Sequence, residues 1–393
     1  MSRFHSYLTS AVNIIGSYDG SKPFGYHIKS FFAAEKKYGS RDRRSISSLC
    51  YHYFRLGQAL QDLPAAERIL TGVFLSENTS NELLSELRPE LNKRISDSII
   101  EKLDFLKISY RDIFPFVDKL SGEIEKELFA LSFLSQPFLF LRIRPGKEKI
   151  LIEKLTAAEI IFQKKEAACL QLSNNTSLDK LIKINKEAVV QDRSSQQVFN
   201  FLEKNRHYFP PDHSISVWDC CAASGGKSIL LNDLLKGKLK LTVSDIRENI
   251  LFNLQKRLQE AGVNIYKKIA ADLEKGQAAL RGEKFDLIIC DAPCTGSGTW
   301  SRTPEQLYYF RENTIDLFTE KQKRIVSNVI PQLKNGGLFF YITCSVFNKE
   351  NEVLVDYIKE KFHLQLLQME FLKGYEEKAD SMFVAVFTNT LLP

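Results

Sequence analysis

Strands and helices alternate along the C-terminal half of the chain, and this alternation constrains the fold more than any other feature. Apolar, strand-like runs occupy 215–221, 241–245, 285–293 and 337–345, and helical segments separate them. Such an order predicts an α/β fold, with a parallel sheet and helices on both of its faces. Ligands of these sheets bind at the carboxyl ends of the strands, so we expect the functional groups there.

The first third of the chain has a different periodicity. Residues 1 to about 130 read as successive helices, with segments expected at 42–60, 83–94, 96–106 and 124–134. In the first of these, with Asp42 expected as N-cap, apolar residues recur at spacings of three and four: Ile46, Leu49, Cys50, Tyr53 and Phe54. That spacing predicts a buried stripe on one helix face. No catalytic constellation accompanies it, which indicates a packing or recognition module.

The central region, residues 136–211, reads as a small α+β unit. A strand is expected at 138–144, a helix at 146–159, and further strand-like pieces near Ile161 and Ala168. The region holds 13 Lys+Arg against 8 Asp+Glu, in a chain with a net charge of +6. A local basic face, including Arg142 and Arg144, favours a polyanionic partner. A solvated surface without a partner is the alternative.

Composition excludes several classes of protein. No run of 18 apolar residues occurs, so we expect no membrane span. Seven cysteines in 393 residues, two of them adjacent, do not form a paired framework, which favours a reducing cytoplasm. No CxxC pair exists and no histidine lies near the motifs described below, so we expect no zinc site.

A glycine-containing turn joins the first strand to a helix at 219–228, with the sequence DCCAASGGKS. Small residues allow a ligand to approach the backbone, and free N–H groups at a helix start bind carboxylate or phosphate. The turn is not a P-loop, because position 221 is cysteine rather than glycine, and it is not GxGxxG. An ordinary strand-to-helix turn remains the alternative.

Two aspartates follow the next strands. Asp245 ends the second strand about 20 residues beyond the glycines, where a carboxylate can accept both hydroxyls of a ribose. Asp272 ends the third strand and could face an adenine edge. With the glycine turn, they favour a nucleoside cofactor over isolated caps or surface groups. Because Arg247 could pair with a 2′-phosphate, NADP is not excluded as the cofactor.

Thiols follow two later strands. Asp291 and Cys294 lie in the sequence DAPCTGSG after a hydrophobic strand, and Cys344 follows another strand in YITCS. These cysteines could face one pocket, whereas a buried cysteine in a turn and a disulfide are the competing interpretations. No histidine accompanies either thiol, so a catalytic triad is unsupported. Arg302 follows in a position where it could hold a phosphate.

These motifs resemble those of a known family. The RsmB/Sun family of AdoMet-dependent RNA cytosine-5 methyltransferases has similar motifs in the same order, at 219–227, 243–245, 270–272, 291–298, 341–345 and 350–352. Upstream, 138–145 and 188–196 are similar to the family's small RRM-like region and approach helix. Residues 41–55 resemble the NusB-type helical domain of bacterial members.

The resemblance implies a domain organisation. A helical NusB-like RNA-recognition domain is expected at 1–135 and a small RRM-like basic α+β region at 136–211. A Rossmann-like AdoMet methyltransferase sheet is expected at 212–393.

The resemblance also implies site residues. Cys344 would add to cytosine C6, Cys294 would act in removing the C5 proton, and Asp291 would hydrogen-bond the N3/N4 edge of the base. Lys227 would lie beside the reacting groups, and Arg302 would contact RNA. Arg142 and Arg144 are expected to contact RNA as part of the basic central region. The residues expected to bind S-adenosyl-L-methionine are Cys221, Ala222, Ala223, Ser224, Gly225, Gly226, Lys227, Asp245, Asp272 and Asp291.

Two positions depart from the family pattern. Ser224 stands where the family usually has proline, and Ser301 replaces the first of two usual arginines before the R-x-P sequence. The first change leaves backbone contacts to the cofactor in place, and the second puts one RNA phosphate contact in doubt.

The expected activity is methylation of cytosine C5 in RNA, with ribosomal RNA as the substrate, in a cytoplasmic monomer without membrane or metal. Amino-group methyltransferases usually carry an Asn/Asp-Pro-Pro-aromatic loop, which DAPC lacks. Transfer RNA as the substrate and a non-catalytic, RNA-binding ribosome-assembly factor are the alternatives. A pure binder needs neither Cys294 nor Cys344.

Overall fold

The computed structural model describes residues 2–208, 213–276, 280 and 282–389. The chain divides into two compact units. Unit 1 comprises 1–120, 125–136 and 299–312, and unit 2 comprises 121–124, 137–298 and 313–393. The expected boundary at 211–212 lies outside the described residues, and the three-domain division remains a prediction.

Unit 1 is helical in its described residues. Its helices are α1 (Arg3–Gly16), α2 (Phe24–Ala34), α3 (Ser40–Arg55), α4 (Ala65–Ser76), α5 (Glu82–Leu87), α6 (Pro89–Lys93), α7 (Ile99–Leu106), α8 (Tyr110–Ile113), α9 (Lys126–Ser132) and α15 (Glu305–Tyr309). The single helix expected at 83–94 is two helices, because Pro89 cannot continue the hydrogen bonding of α5 and instead begins α6.

The stripe predicted on α3 is buried. Ile46, Leu49, Cys50, Tyr53 and Phe54 are all at most 7% exposed. The N-cap of this helix is Gly39 rather than Asp42; the Asp42 carboxylate lies in the first turn and accepts the Gly39 N–H at 3.1 Å. The expectation that Asp42 is the N-cap was therefore wrong. Its carboxylate nevertheless accepts a hydrogen bond from a backbone N–H group at the start of the helix.

A four-stranded antiparallel sheet forms the first part of unit 2. Its order is β2-β3-β1-β4, with β1 (Leu139–Ile143), β2 (Phe162–Glu166), β3 (Cys169–Leu172) and β4 (Ala188–Val190). Helix α10 (Glu148–Ala157) packs on this sheet through Leu151 and Leu155. The small α+β unit expected here is therefore present.

The larger sheet of unit 2 has seven strands in the order β10-β11-β9-β8-β5-β6-β7. These strands are β5 (Ile215–Asp219), β6 (Leu239–Asp245), β7 (Ile265–Ala270), β8 (Phe285–Asp291), β9 (Leu333–Thr343), β10 (Gln365–Leu372) and β11 (Met382–Thr388). From β9 to β7 all neighbours are parallel. The expectation of a parallel sheet is corrected at one edge, where β11 pairs antiparallel with β9 and β10.

The remaining helices of unit 2 connect these strands. They are α11 (Arg193–Gln197), α12 (Asn200–Lys204), α13 (Gly226–Leu234), α14 (Glu248–Glu260), α16 (Asn313–Val329) and α17 (Glu352–Phe362). Strand residues Val217, Val243 and Ile289 lie in one apolar core with α13 and α14, and each is 0% exposed. Among the described residues, no helix is long and apolar enough to cross a membrane.

Candidate active site

The parallel strands bring the sequence motifs to one edge of the larger sheet. Strands β5, β6, β8 and β9 end at Asp219, Asp245, Asp291 and Thr343. Because these strands are parallel, each of those ends lies at the same edge, as the sequence predicted. The loops that follow the strand ends form the candidate site.

The first loop, 221–225, closes tightly before α13. Gly225 has φ +79°, which strains any residue with a side chain, and a Cβ there would also displace Leu254, whose Cδ1 would lie 2.3 Å away. Helix α13 begins at the next residue, and the N–H groups of its first turn have no partner within the helix. This end of α13 therefore suits a carboxylate or phosphate group.

Asp245 joins the first loop to the second strand. Its Oδ2 accepts the Ala223 N–H at 3.1 Å, and its Oδ1 accepts the Arg247 N–H and Nε–H, both at 3.0 Å. Burial acts to raise the pKa of Asp245, but the hydrogen bonds and charge of Arg247 outweigh burial and lower it. Asp245 is thus an ionised carboxylate at the place expected for a ribose-binding group.

Asp272 lies beyond the end of the third parallel strand and is only partly buried. Its Oδ1 accepts the Glu274 N–H at 3.1 Å, and Lys275 Nζ lies 3.3 Å from Oδ2. Both contacts are local, so the Asp272 carboxylate stabilises the turn that contains it. The assignment of Asp272 to adenine binding remains a prediction.

Ser224, which departs from the family pattern, is bound by a neighbouring helix. Arg257 of α14 donates to Ser224 Oγ at 2.8 Å and to its carbonyl oxygen at 3.1 Å. The same guanidinium donates through Nε to Asn185 Oδ1 at 2.9 Å. A hydrogen-bonded hydroxyl therefore restrains the loop at the position where a proline ring would do so.

Cys294 and Cys344, 50 residues apart in sequence, have their Sγ atoms 3.4 Å apart. All seven cysteines of the chain are free thiols, so this pair is not a disulfide here. The Gly298 N–H donates to the Cys344 carbonyl at 2.8 Å, and a Cβ on Gly298 would lie 2.2 Å from the Ser381 carbonyl oxygen. A Cβ on Gly298 would also lie 3.0 Å from the Cys344 carbonyl oxygen, so the two thiol loops are in close contact at Gly298.

A partly buried ion pair interacts electrostatically with Cys344. Lys227 Nζ donates to Asp291 Oδ2 at 2.6 Å, and their side chains are 12% and 27% exposed. Burial acts to lower the pKa of Lys227, but Asp291, and then Cys344 and Asp219, outweigh burial and raise it. Lys227 is thus a fixed positive charge within electrostatic range of the Cys344 sulfur.

Asp219 is a buried carboxyl group with a raised pKa, which the sequence did not reveal. It is 1% exposed; Ser228 Oγ donates to its Oδ2 at 2.5 Å, and its Oδ1 has no hydrogen-bond partner. Burial raises the pKa of Asp219 to about 7, with the hydrogen bond from Ser228 opposing. The only sequence signal was its place at the end of a buried strand.

Three other thiols lie under the site. Hydrogen bonds from Cys220 and Cys221 lower the pKa of Cys290 to about 6, although its burial opposes them. Within the part of the chain that the structure describes, no group of three or more His, Cys, Asp or Glu side chains could hold a metal ion. Cys220 Sγ also donates to Cys221 Sγ at 4.0 Å, so the three thiols form a hydrogen-bonded cluster in which Cys221 is only partly buried.

Each of the three arginines proposed to contact RNA has a hydrogen-bond partner within its own unit. Arg142 is 4% exposed and donates to Asp233 Oδ2 at 2.6 Å, and Arg144 donates to Asp233 Oδ1 at 2.9 Å. Their guanidiniums thus form an internal ion pair, which does not favour an exposed phosphate contact. Arg302 belongs to unit 1, where its N–H donates to Thr299 O at 2.9 Å. All three RNA contacts stay predictions.

Two polar residues after β9 were noted in the sequence without a role. Glu350 and Asn351 are both 0% exposed and hydrogen-bond the loops that carry the two thiols. The signal that could have revealed them is a run of polar residues placed directly after a buried strand and its thiol.

Comparison with known sequences identifies relatives of the C-terminal half. Residues 207–392 match the family model described as 16S rRNA methyltransferase RsmB/F. A probable ribosomal RNA small subunit methyltransferase B from Bacillus subtilis (strain 168) is 32% identical over 177 residues, 45% of this chain and 38% of that protein. A similarly described Synechocystis protein is 27% identical over 331 residues, 80% of this chain and 72% of that protein.

The chain spans less than two fifths of the Bacillus relative, and the same holds for ribosomal RNA small subunit methyltransferase B from Vibrio vulnificus (strain YJ016). That protein is 32% identical over 162 residues, which cover 41% of this chain and 36% of its own length.

Solved structures establish the fold. The crystal structure of PH0851 covers 99% of this chain and of its own, with TM-score 0.74 and 19% identity. A methyltransferase homolog protein from Pyrococcus horikoshii covers 75% of this chain and 100% of its own, with TM-score 0.59 and 22% identity. The Rossmann-like α/β fold is therefore confirmed. Residues 207–392 of this chain are similar to the RsmB/F methyltransferase family, as the motifs predicted.

Proposed function

We propose that this protein is an S-adenosyl-L-methionine-dependent RNA methyltransferase that modifies cytosine at C5, with ribosomal RNA as its substrate. One observation carries the proposal: two free thiols lie 3.4 Å apart at the carboxyl edge of the sheet, beside the Lys227–Asp291 ion pair. Methylation of a cytosine carbon needs a nucleophile to activate the ring and a base to remove a proton. Two thiols in contact can supply both.

The donor set of the first loop fits S-adenosyl-L-methionine. The free N–H groups at the start of α13, in the loop formed by residues 221–227, would hold the carboxylate of the amino-acid portion. Asp245 would accept the ribose hydroxyls by exchanging part of its contact with Arg247, and Asp272 would lie by the adenine. When bound, this cofactor supplies an electrophilic methyl group. Asp291 borders both the cofactor and the base.

The nucleophile in this proposal is Cys344. Its thiolate adds to cytosine C6, so that the S–C6 bond forms and the electron pair of the C5–C6 double bond makes C5 nucleophilic. A positive charge nearby stabilises a thiolate, and Lys227 supplies one within electrostatic range. Asp291 hydrogen-bonds the N3/N4 edge of the ring, which holds the base in position for attack by Cys344. C5 then takes the methyl group.

Cys294 completes the reaction. The C5 proton must leave so that the C5–C6 double bond can re-form and the Cys344 thiolate can depart from C6. The sulfur of Cys294 lies 3.4 Å from that of Cys344, and so within reach of the same ring. We assign to Cys294 the removal of this proton, either directly or through one water molecule.

Ribosomal RNA is the substrate that the relatives favour, since the matching family model and the Bacillus protein both carry that description. Transfer RNA is the alternative substrate. A ribosome-assembly factor without turnover is the alternative function, but binding alone would need no pair of thiols at this edge.

The test is transfer of labelled methyl from S-adenosyl-L-methionine to ribosomal RNA from a strain that lacks this protein, followed by nucleoside analysis. We expect 5-methylcytidine with the wild-type protein and none with Cys344→Ala. Cys50→Ala is the matched control, because Cys50 is a buried thiol of helix α3 in unit 1.

Full turnover by Cys344→Ala would overturn the assignment of the nucleophile. Methylation of transfer RNA only would correct the substrate. Cofactor binding without transfer to either RNA would favour the assembly factor.

A further inference from the structure

The carboxylate of Glu350 lies at the centre of the loops that carry the two thiols. Its Oε1 accepts the Thr295 N–H at 2.9 Å and Gln322 Nε2–H at 3.0 Å. Its Oε2 accepts the Thr295 hydroxyl at 2.6 Å and the Ser345 hydroxyl. Thr295 follows Cys294 and Ser345 follows Cys344, so a single side chain binds the residue next to each thiol.

This carboxylate is fully buried and bound on both oxygens. Burial raises the pKa of Glu350, and the hydrogen bonds from Ser345, Thr295 and Gln322 oppose burial. Because both oxygens accept hydrogen bonds from donors, the arrangement suits the ionised form. Breaking it would leave a buried charge or buried donors without partners, which costs more than an exposed contact.

The neighbouring residue strengthens the same junction. Asn351 accepts a hydrogen bond from Thr343 Oγ1 at 2.6 Å and donates to Ser345 O at 2.9 Å. Its Nδ2 also donates to Ser121 Oγ at 2.9 Å. The segment after β9 thus folds back onto the strand that carries Cys344, so that Glu350 cannot move away from the thiols independently.

The charges around the thiols are arranged unequally. Cys294 faces Cys344, Glu350 and the phenol of Tyr341, whose hydroxyl donates to the Glu350 carbonyl at 2.7 Å. The hydrogen bond with Cys344, then burial, and then the charges of Cys344 and Glu350 raise the pKa of Cys294 well above its ordinary value. The positive charge of Lys227, which is paired with Asp291, interacts with Cys344.

We propose that Glu350 is a positioning residue that holds the loops of Cys294 and Cys344 together and places a buried negative charge next to the loop of Cys294. This inference deepens the proposed function and rests on it. Cys344 is then the sulfur available as nucleophile. Cys294 must first lose its own proton to solvent before it can act as a base. Its thiolate is then the stronger base for the C5 proton, because a thiol with a higher pKa gives a more basic thiolate.

The test measures thiol reactivity in the full-length protein carrying Cys344→Ala, so that Cys294 responds to Glu350 without its thiol neighbour. Alkylation of Cys294 by iodoacetamide is followed against pH by peptide mass spectrometry. We expect Glu350→Gln, which keeps the shape and removes the charge, to lower the pH midpoint of alkylation by about one unit or more. Glu352→Gln is the matched control, because Glu352 binds Ser121 and Gly122 instead.

An unchanged midpoint in Glu350→Gln, or an equal shift in Glu352→Gln, would overturn the proposal. Circular dichroism on heating checks that each variant folds. If Glu350→Gln does not fold, the pair Thr295→Val and Thr295→Ser tests the same contact at fixed pH. We expect faster alkylation of Cys294 in the valine variant only, because it loses the hydroxyl that binds Glu350. Equal rates in both would contradict the positioning role.

A second arm separates this inference from the proposed function. With Cys344 present, Glu350→Gln should form less 5-methylcytidine and bind S-adenosyl-L-methionine as the wild type does. Absence of 5-methylcytidine with the wild-type protein would refute the function and leave the alkylation result standing. A shifted alkylation midpoint with unchanged methyl transfer would refute the role of Glu350 in the reaction.

Discussion

The two groups of loops at the carboxyl edge are held in different ways. The first loop, 221–225, is restrained at Ser224 by Arg257, through a hydrogen bond that is exposed to solvent. The loops of the thiols are restrained by Glu350 and Asn351, both 0% exposed. An exposed contact can be exchanged for one with water or ligand at little cost, whereas a buried one cannot.

This difference agrees with what each region has to do. The first loop must admit and release a ligand, so a moderate restraint on its backbone suffices. The thiol loops must keep two sulfurs 3.4 Å apart through a reaction in which one of them becomes covalently bound. We therefore expect substitutions in the thiol region to have large effects on turnover and stability, and substitutions at the first loop to change cofactor affinity moderately.

The largest expected effect is on turnover at the thiols. Cys294→Ala removes the base assigned to the C5 proton, so we expect the steady-state rate of methyl transfer to fall by about 10²- to 10⁴-fold. Because addition by Cys344 and methyl transfer still occur, a covalent RNA–protein adduct should accumulate. A slowly migrating band in a denaturing gel measures it, and this band should be absent from Cys294→Ala/Cys344→Ala. Retained activity without an adduct would remove Cys294 from the mechanism.

The next effect concerns the stability of the same loops. Asn351→Ala removes three buried hydrogen bonds, with Thr343 Oγ1, Ser345 O and Ser121 Oγ, so we expect the free energy of unfolding to fall by about 2 to 4 kcal/mol. Urea unfolding measures it. Asn249→Ala is the control, since its side chain is exposed and should change stability by less than about 0.5 kcal/mol. Equal stability of the two variants would contradict the comparison.

The sequence predicted the part of the site that follows from parallel strands. Asp245, Asp291 and Cys344 each end or follow a strand, and parallel strands bring their carboxyl ends to one edge, which is why Cys294 and Cys344 meet. The strand direction at the other edge was not predictable in this way. Alternation of apolar residues gives a strand and its buried face, but not the antiparallel pairing of β11 with β9.

The sequence also could not predict contacts between side chains that are far apart in the chain. Arg142 contributed to a basic excess that suggested an exposed surface, yet its partner Asp233 lies 91 residues further along the chain. Counting charges cannot show which of them are neutralised inside the fold. Glu350 and Asp219 were missed for a related reason. The role of each depends on burial and on donors supplied by other loops, and a single sequence shows neither.

Asp219, which ends β5 directly before the first loop, allows a test through the dependence of stability on pH. Its pKa is raised to about 7 in the folded protein from an ordinary value near 3.8, so the folded state loses stability as pH rises through about 7. We expect Asp219→Asn, which cannot ionise, to gain about 2 kcal/mol relative to the wild type between pH 5 and pH 8. Urea unfolding at a series of pH values measures the difference.

Asp286→Asn is the control for that measurement, because the pKa of Asp286 is shifted in the opposite direction from that of Asp219. Burial acts to raise the pKa of Asp286, but hydrogen bonds from Ser216 and Lys334 outweigh burial and lower it. Its contribution to stability is therefore present above the pKa of the unfolded chain and lost only in more acidic solution. The difference between Asp286→Asn and the wild type should stay constant from pH 5 to pH 8. If the difference in stability between Asp219→Asn and the wild type is also constant from pH 5 to pH 8, the pKa of Asp219 is not raised.

The smallest expected effect is on cofactor affinity at the first loop. Ser224→Ala removes the hydroxyl that Arg257 binds and leaves the contact to the carbonyl, so we expect binding of S-adenosyl-L-methionine to weaken by about 0.5 to 1 kcal/mol. Arg257→Ala should cost more, because it also releases Asn185. Isothermal titration calorimetry of both variants and the double variant completes a cycle. We expect the two losses not to add, since both act through one hydrogen bond, and strict additivity would show that Ser224 and Arg257 act independently.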